Sequence, residues 1–351
     1  MRAPTVYMWP KTSPHNKYSE LLSQSIERQG LRVEHYERSS MFKPGRGDIV
    51  HIHWPSYTYQ APTFPLTVLK SLFFMMLLYL YKGMGVRLYW TVHNIWPHTG
   101  RSRWDRFVRR RLLRLCDGAF ALSETARSEA AAAFGVSEDK LTVTPHGHYV
   151  GAYAAKGTDI RARFGIPEDR FLFLFVGRIN PYKGVDRLVE AYRGLDPADG
   201  ARAALLIAGQ ADAGYDLSFA GDPGRGAIHL HPRFVDDSEL ADYLAAADAV
   251  VLPYRQITTS GSAILALSHG KPVVAPRLGS LAEYVSEGCG VLYDPDEPAG
   301  LADALRAAIR MDRKEAEARI ADKLRELDWD RIADRMMRVY AGAAPRQEVE
   351  A

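Results

Sequence analysis

Two cations and a helix start in the second half of the chain have the makings of an anion site. Arg178 and Lys183 stand in the run Gly177-Arg178-Ile179-Asn180-Pro181-Tyr182-Lys183-Gly184. An apolar, strand-like stretch (Phe171–Val176) precedes that run, and an amphipathic helical stretch (Val185–Tyr192) follows it. Two cations on one loop at a strand's carboxyl end can neutralise a departing diphosphate without a metal ion. Further on, Ala249–Leu252 reads as a strand, a Pro-Tyr turn follows, and Thr258-Thr259-Ser260-Gly261 opens an apolar helix that ends at Gly270. Small hydroxyl and glycine residues at a helix start leave backbone N–H groups at the positive end of the dipole, which suits a phosphate. Ser-Gly helix caps and charged loops are each common in α/β proteins. Their occurrence together in one half of the chain is what points to a diphosphate-bearing ligand.

Histidines supply the other chemistry. His51, His53, His93, His98, His146 and His148 all fall in or just after predicted strands of the first half. A lone histidine at a strand end is usually structural, but three separate clusters are harder to dismiss. Imidazole exchanges protons near neutral pH, so a histidine here can act as a general base. His93 and His98 lie after a predicted strand, on the Asn94–Thr99 loop. Glu124, after Leu122-Ser123, is the rival base, although helix capping accounts for it equally well. No H-x3-H or HExxH spacing is present, so no metal site is expected.

The elements that must hold these groups alternate between short β-rich runs and helices. The first half has strands at Thr5–Trp9, Arg32–His35, Ile49–Trp54, Arg87–Val92, Gly118–Leu122 and Thr142–Pro145. The second half has Phe171–Val176, Ala204–Ala208, Ile228–Leu230, Ala249–Leu252, Val273–Ala275 and Gly290–Tyr293. Alternation of this kind predicts parallel sheets covered on both faces. A small polar stretch near Gly157–Asp169 separates two copies of the pattern. The expectation is an α/β chain of two Rossmann-like domains, 1–160 and 161–325, facing each other across a cleft. A last segment, 326–351, carries WDRIADRMMRVY and is expected to cross back to the first domain. Ligands in such sheets sit beyond the carboxyl ends of strands.

Composition narrows the classes. At 351 residues the chain is long for one domain, and 47% apolar with 25% charged residues is a globular balance. A net charge of +3 is too small for a nucleic-acid binder. Cys116 and Cys289 match no metal spacing and read as reduced thiols of a cytosolic protein. No signal peptide is expected from MRAPTVYMWPKTSPHN. The apolar run Ser71–Tyr81, inside a helix expected at Leu66–Tyr81, is 11 residues long. Spanning a bilayer needs roughly 20. It reads either as a buried helix or as one lying on a membrane surface. The next helix carries Arg101, Arg103, Arg106, Arg109, Arg110, Arg111 and Arg114 with Trp104, Phe107 and Leu113 interleaved, a pattern suited to anionic lipid.

Several of these runs together resemble a known group. The GRxxxxKG loop, the AGQ after Leu206-Ile207, the run ending ADAVVLPY at Tyr254, and the GKPVVAP strand are similar to nucleotide-sugar-dependent glycosyltransferases of the GT-B fold, with a wider resemblance to glycosyltransferase family 4. His51-Ile52-His53-Trp54-Pro55, Thr91-Val92-His93-Asn94-Ile95-Trp96-Pro97-His98 and His146-Gly147-His148-Tyr149 resemble, more narrowly, the bacterial β-mannosyltransferases of xanthan-type exopolysaccharide assembly. That resemblance implies GDP-mannose as donor and a polyprenyl-diphosphate-linked or other glycan as acceptor; the two cations and the apolar and basic helix pair add the expectation of an enzyme with no metal or other cofactor, cytoplasmic and peripheral on the inner face of the cell membrane. Arg178, Lys183, Thr259, Ser260 and Gly261 are expected at the diphosphate. His146 and His148 are expected close to the diphosphate or sugar, and His93 near the donor sugar. Phe234 falls where the fold holds the nucleotide base, with core packing as its other explanation. Glu283 matches a carboxylate frequent in the fold.

One departure matters. The wider retaining family carries two glutamates eight positions apart before the GKP strand, and the matching positions here are Ile257 and Leu265. Their loss favours inverting transfer with His93 or a neighbour as base. Retaining transfer with a different carboxylate and a catalytically silent binding subunit stay open as rivals, whereas a sugar-nucleotide epimerase of the same architecture would have no role for the apolar and basic helix pair.

Overall fold

A computed structural model describes residues 3–13, 16–96, 102–220 and 227–342. The chain divides into two compact units, Met1–Gly147 with Leu327–Ala351, and His148–Glu326. The division falls ahead of the Gly157–Asp169 stretch, and the chain's last helix belongs to the first unit.

The first unit holds β1 (Thr5–Trp9), β2 (Arg32–His35), β3 (Ile49–Ile52), β4 (Arg87–Val92), β5 (Gly118–Ala121) and β6 (Leu141–Val143). They pair in the order β2-β1-β3-β4-β5-β6, and every pairing is parallel. Because successive strand residues point to opposite faces, one sheet serves two cores. Tyr7, Val50, Leu88, Trp90 and Val92 pack with one set of helices, while Val6, Met8, Ile49 and Tyr89 pack with the other.

The second core is closed by helices Tyr18–Arg28 and Trp329–Tyr340, which pack together. In the latter, Trp329, Ile332, Ala333, Met336 and Tyr340 are buried. Their spacing of three and four places them on one helical face. Asp330 joins Arg28 at 2.6 Å, but both side chains are about half exposed, and such pairs contribute roughly 0–1 kcal/mol. Burial of the large apolar groups, roughly 1.5–3 kcal/mol each, does more to hold this segment in place.

The second unit holds β7 (Phe171–Val176), β8 (Ala203–Ala208), β9 (Ala227–His231), β10 (Ala249–Val251), β11 (Val273–Pro276) and β12 (Gly290–Tyr293). Their order, β12-β11-β10-β7-β8-β9, is again wholly parallel. The expectation of two Rossmann-like domains is met element by element, with boundaries shifted by one or two residues.

One helix is longer than its sequence reading. It runs Phe64–Gly83, 20 residues, with Pro65 in its first turn. By length and composition alone it could cross a membrane. It is, however, the crossover between parallel β3 and β4, and Phe74, Met75, Leu77, Leu78 and Tyr81 sit in the core. The opposite face leaves Phe64, Leu66, Leu69, Phe73, Met76 and Leu80 exposed. The following helix, Arg103–Leu115, also differs from expectation in two residues. Leu113 is buried, and so is Arg109, which donates to the carbonyls of Asn94 (2.7 Å) and Ile95 (3.1 Å). Arg103, Arg106, Arg111 and Arg114 remain exposed.

The packing makes a specific demand at Gly147. A Cβ there would lie 2.3 Å from the Trp329 indole, whereas one at Gly200 would meet nothing within 4 Å. Gly147→Ala is therefore expected to destabilise the protein by about 1–3 kcal/mol. Gly200→Ala, inside a short helix, should instead stabilise by roughly 0.5–1 kcal/mol. Urea titrations of the two variants check both signs.

Candidate active site

In a parallel sheet the loops after two neighbouring strands diverge where the strand order reverses, and a crevice opens at their carboxyl ends. The first unit has this reversal between β1 and β3, and the second between β7 and β10. The lysine cluster lies on the loops at the second reversal; in the histidine cluster His51 and His53 belong to the first reversal, His93 follows the next strand, and His146 follows the edge strand β6.

In the first unit, β3 supplies His51 and leads into His53, β4 leads into His93, and β6 is followed by His146. All four are buried, at 0%, 1%, 8% and 4% exposure in that order. Sequence spacing gave three clusters, and the sheet makes them one. His51 Nδ1 lies 2.5 Å from the Tyr340 hydroxyl and its Nε2 lies 2.8 Å from Thr91 Oγ1. His53 Nδ1 lies 3.0 Å from His93 Nε2, and His53 Nε2 lies 2.8 Å from the Met8 sulfur. His146 Nδ1 donates to the Gly147 carbonyl at 2.8 Å. Tyr18, from helix Tyr18–Arg28, meets the rings of His93 and His146 edge-on at 4.6 and 4.8 Å. Trp54 stacks on His93 at 4.4 Å.

Burial is the main reason these rings are neutral. It drives His53 down to about 3 and His146 down to about 4, the Gly147 carbonyl only partly opposing the fall for His146. For His93, burial and then the neighbouring His53, His146 and His51 hold the pKa well below the usual imidazole value. Burial followed by His53 does the same for His51. At neutral pH each ring therefore keeps a lone pair, which a proton acceptor requires.

In the second unit, the loop after β7 carries Arg178, Asn180 and Lys183, and the loop after β10 carries Tyr254 through Ser260. Glycine brings the two loops together. Gly184 has φ +68°, and a Cβ there would lie 2.0 Å from the Pro253 carbonyl oxygen. Lys183 Nζ donates to the Tyr254 hydroxyl at 2.9 Å and stands 4.1 Å from that ring's centre. Ser262 and Ser260 also hydrogen-bond the Tyr254 phenol. Burial alone would raise that phenol, but Lys183 and the two serines outweigh it and its pKa falls below the ordinary tyrosine value. Burial would likewise lower Lys183, yet Tyr254 and Tyr182 together turn the shift upward, so the ammonium stays charged. Ser260 caps helix Gly261–Ser268, its hydroxyl accepting from the Ala263 N–H at 3.3 Å. On the Lys183 loop, Asn180 is 7% exposed and its Oδ1 has no hydrogen-bond partner among the described residues. An unmet buried acceptor costs about 1–3 kcal/mol.

The structure thus joins Lys183 to Ser260 and Gly261 through Tyr254, and His93 to His146 through Tyr18. Arg178 is largely exposed and ion-paired with Asp212, a contact weak enough to exchange. Glu124 is exposed and pairs with Arg127 at 2.7 Å, and the helix cap is Ser123. His148 begins the second unit, half-buried, its Nδ1 accepting from the Val150 N–H at 3.3 Å. Thr259 and Glu283 are half-buried in the second unit. Phe234 is 55% exposed, which rules out core packing for it. His98 lies outside the described residues. Among those residues no group of three or more His, Cys, Asp or Glu side chains could hold a metal ion. Met8, Tyr18, Tyr254 and Asn180 were not singled out by sequence. Their roles come from long-range contacts that no local spacing announces.

The histidine cluster makes a pH-dependent contribution to stability. Each folded pKa lies below the unfolded value of about 6.5. The contribution is therefore fully present above that pH and is lost as pH falls towards about 4 for His146 and about 3 for His53. Each ring adds a slope of up to about 1.4 kcal/mol per pH unit. Urea midpoints should drop from about pH 6.5 downwards, and His146→Gln should flatten the drop. A level profile in both proteins would contradict neutral burial.

Comparison with known proteins follows the same division. Residues 170–311 match the family described as glycosyl transferases group 1, and residues 35–149 match glycosyltransferase family 4. A GDP-mannose:glycolipid 4-beta-D-mannosyltransferase of Xanthomonas campestris pv. campestris is 30% identical over 313 residues, 85% of this chain and 80% of that protein. A D-inositol 3-phosphate glycosyltransferase of Xylanimonas cellulosilytica is 33% identical over 246 residues, 65% of this chain and 58% of the relative. Among solved structures, Anabaena HepE in complex with UDP superposes with a TM-score of 0.70 at 16% identity, covering 97% of this chain and all of that one. With two parallel α/β units of this topology, the chain belongs to the group 1 and family 4 glycosyltransferases, hexosyltransferases of the GT-B fold.

Proposed function

We propose that this glycosyltransferase moves mannose from GDP-mannose, with inversion, onto a lipid-linked glycan. The observation that carries the reading is the Lys183–Tyr254–Ser260 arrangement at the strand-order reversal of the second unit. A charged lysine and the start of an eight-residue helix offer positive potential where a nucleoside diphosphate would leave. Arg178 adds a second cation once it exchanges Asp212 for phosphate, so no metal is required, and Asn180 Oδ1 offers an acceptor for a donor-substrate hydroxyl. Phe234 can stack on the base.

In the reaction, the acceptor hydroxyl oxygen attacks C1 of the sugar and its proton passes to His93. The bond from C1 to the diphosphate oxygen breaks, and the nucleoside diphosphate departs with the electron pair. His93 is neutral in the free protein. Negative charge on a nearby substrate raises the pKa of an imidazole, which brings this base towards its working range. Glu124, exposed and paired with Arg127, is the weaker candidate. The choice of mannose rests on the similarity to the Xanthomonas enzyme. Similarity to a D-inositol 3-phosphate glycosyltransferase favours a second reading, with a polyol phosphate as acceptor.

Thermal-shift measurements with GDP-mannose, UDP-glucose and dTDP-glucose test the donor, since a ligand that binds only the folded state raises its melting point. GDP-mannose should give the largest shift, and no shift with any GDP-sugar would defeat the reading. Lys183→Ala should cut turnover by about 10²–10³ with the fold intact. Near-normal turnover would remove the diphosphate assignment.

The acceptor's lipid suits a protein held peripherally on the cytoplasmic face of the cell membrane. The exposed apolar face of helix Phe64–Gly83 and the arginines of Arg103–Leu115 support this. Trp104 contacts Phe64 and Phe107, and Arg111 lies 5.8 Å from the Phe107 ring. Apolar side chains rimmed by guanidinium groups match an anionic bilayer surface. Co-sedimentation should show binding to phosphatidylglycerol vesicles and little to phosphatidylcholine. A Phe73→Ser, Met76→Ser double variant, altered only at exposed positions, should lose about tenfold in binding. Equal binding to both lipids, or an unaffected variant, would contradict a membrane role.

A further inference from the structure

Hydrogen-bond chemistry in the first unit determines more about His93 than its burial does. A thioether sulfur can only accept, so the nitrogen of His53 that faces Met8, Nε2, must carry the proton. Neutral imidazole has a single N–H, which leaves His53 Nδ1 as an acceptor. The atom 3.0 Å from it is His93 Nε2, and that nitrogen must therefore donate. We propose that Met8 and His53 are positioning residues that select the Nε2–H tautomer of His93, so that its proton-accepting lone pair lies on Nδ1. This rests on His93 being the base, and it adds which atom of that ring takes the acceptor's proton.

The surroundings make the selection hold. Trp54 stacks on the His93 ring at an interplanar angle of 21°, and Tyr18 meets it edge-on at 86°. These two rings set its plane, and a half-turn that exchanges the nitrogens has to displace both. The His53 ring is likewise stacked against His51, 4.5 Å away, and is 1% exposed. Met8 lies in β1 and His53 directly follows the adjacent β3, in which His51 pairs with Met8. Strand register therefore delivers the sulfur to the ring. A leucine at position 8 fills similar space but accepts nothing, and His53 is then at liberty to reverse its tautomer. That reversal turns His53 Nδ1 into a donor and moves the His93 lone pair to Nε2, where it faces the interior.

The test is ¹⁵N NMR of the full chain with histidine-selective labelling, combined with GDP release from GDP-mannose. In the wild type, His93 should show a protonated Nε2 and an unprotonated Nδ1. Met8→Leu and His53→Leu should each yield a mixture of tautomers, and His53→Asn, whose amide oxygen can stand where Nδ1 stood, should restore the single form. The kcat should fall in proportion to the lost Nε2–H fraction, several-fold to tenfold, with KM for GDP-mannose within about twofold, and should recover in His53→Asn. A purely structural role would move the melting point without moving the tautomer. Unchanged tautomers in folded Met8→Leu and His53→Leu would overturn the proposal. Altered tautomers with unchanged kcat would instead uphold the relay and overturn His93 as the base.

Discussion

A parallel strand can be joined to its neighbour only by a crossover, and the sense in which crossovers leave the sheet reverses once in each unit of this protein. Everything chemical about the molecule depends on that constraint. Beside the reversal, two loops part from adjacent strand ends and leave polar groups uncovered by either connection. In the second unit those loops carry Lys183 and Ser260, in the first His53, with His93 just after the next strand.

The two clusters use opposite electrostatic strategies. The histidine cluster is buried among aromatic rings and is kept uncharged, because desolvation of a cation exceeds anything its neutral neighbours return. The lysine is also removed from water, yet it stays charged, because the phenols of Tyr254 and Tyr182 beside it favour the ammonium form. One site holds lone pairs and the other holds positive charge. Neither property belongs to histidine or lysine as a residue type, and both follow from what packs around the side chain.

Helix Phe64–Gly83 shows how a local signal can be misjudged in length but not in character. Its apolar core was visible as Ser71–Tyr81, and a first turn from Phe64, with a proline suited to that position, together with Lys82 and Gly83 at the other end makes the helix 20 residues long. Hydropathy does not separate the face that packs on the sheet from the face that remains exposed, since both are apolar. Arg109 illustrates the converse. It stands among exposed arginines in sequence, but its helical phase turns it inward, where two backbone carbonyls need a donor.

What could be read along the chain was whatever repeats with the period of its own element. Apolar runs of strand length alternating with amphipathic helices announced two parallel α/β units, and small hydroxyl residues before an apolar helix announced a cap at Ser260. Lys183 and Ser260 were both legible as candidates. That Tyr254 bridges them was not, because the contact depends on a close backbone approach at Gly184. Likewise the histidines were legible as three groups, whereas their union, and the Met8 sulfur that orders their protons, came only with the fold. Periodicity is a property of neighbours in the chain and survives in one dimension. Hydrogen bonds across strand register, and the burial that sets a proton's position, exist only once residues some forty apart in the chain are brought within 3.0 Å of each other.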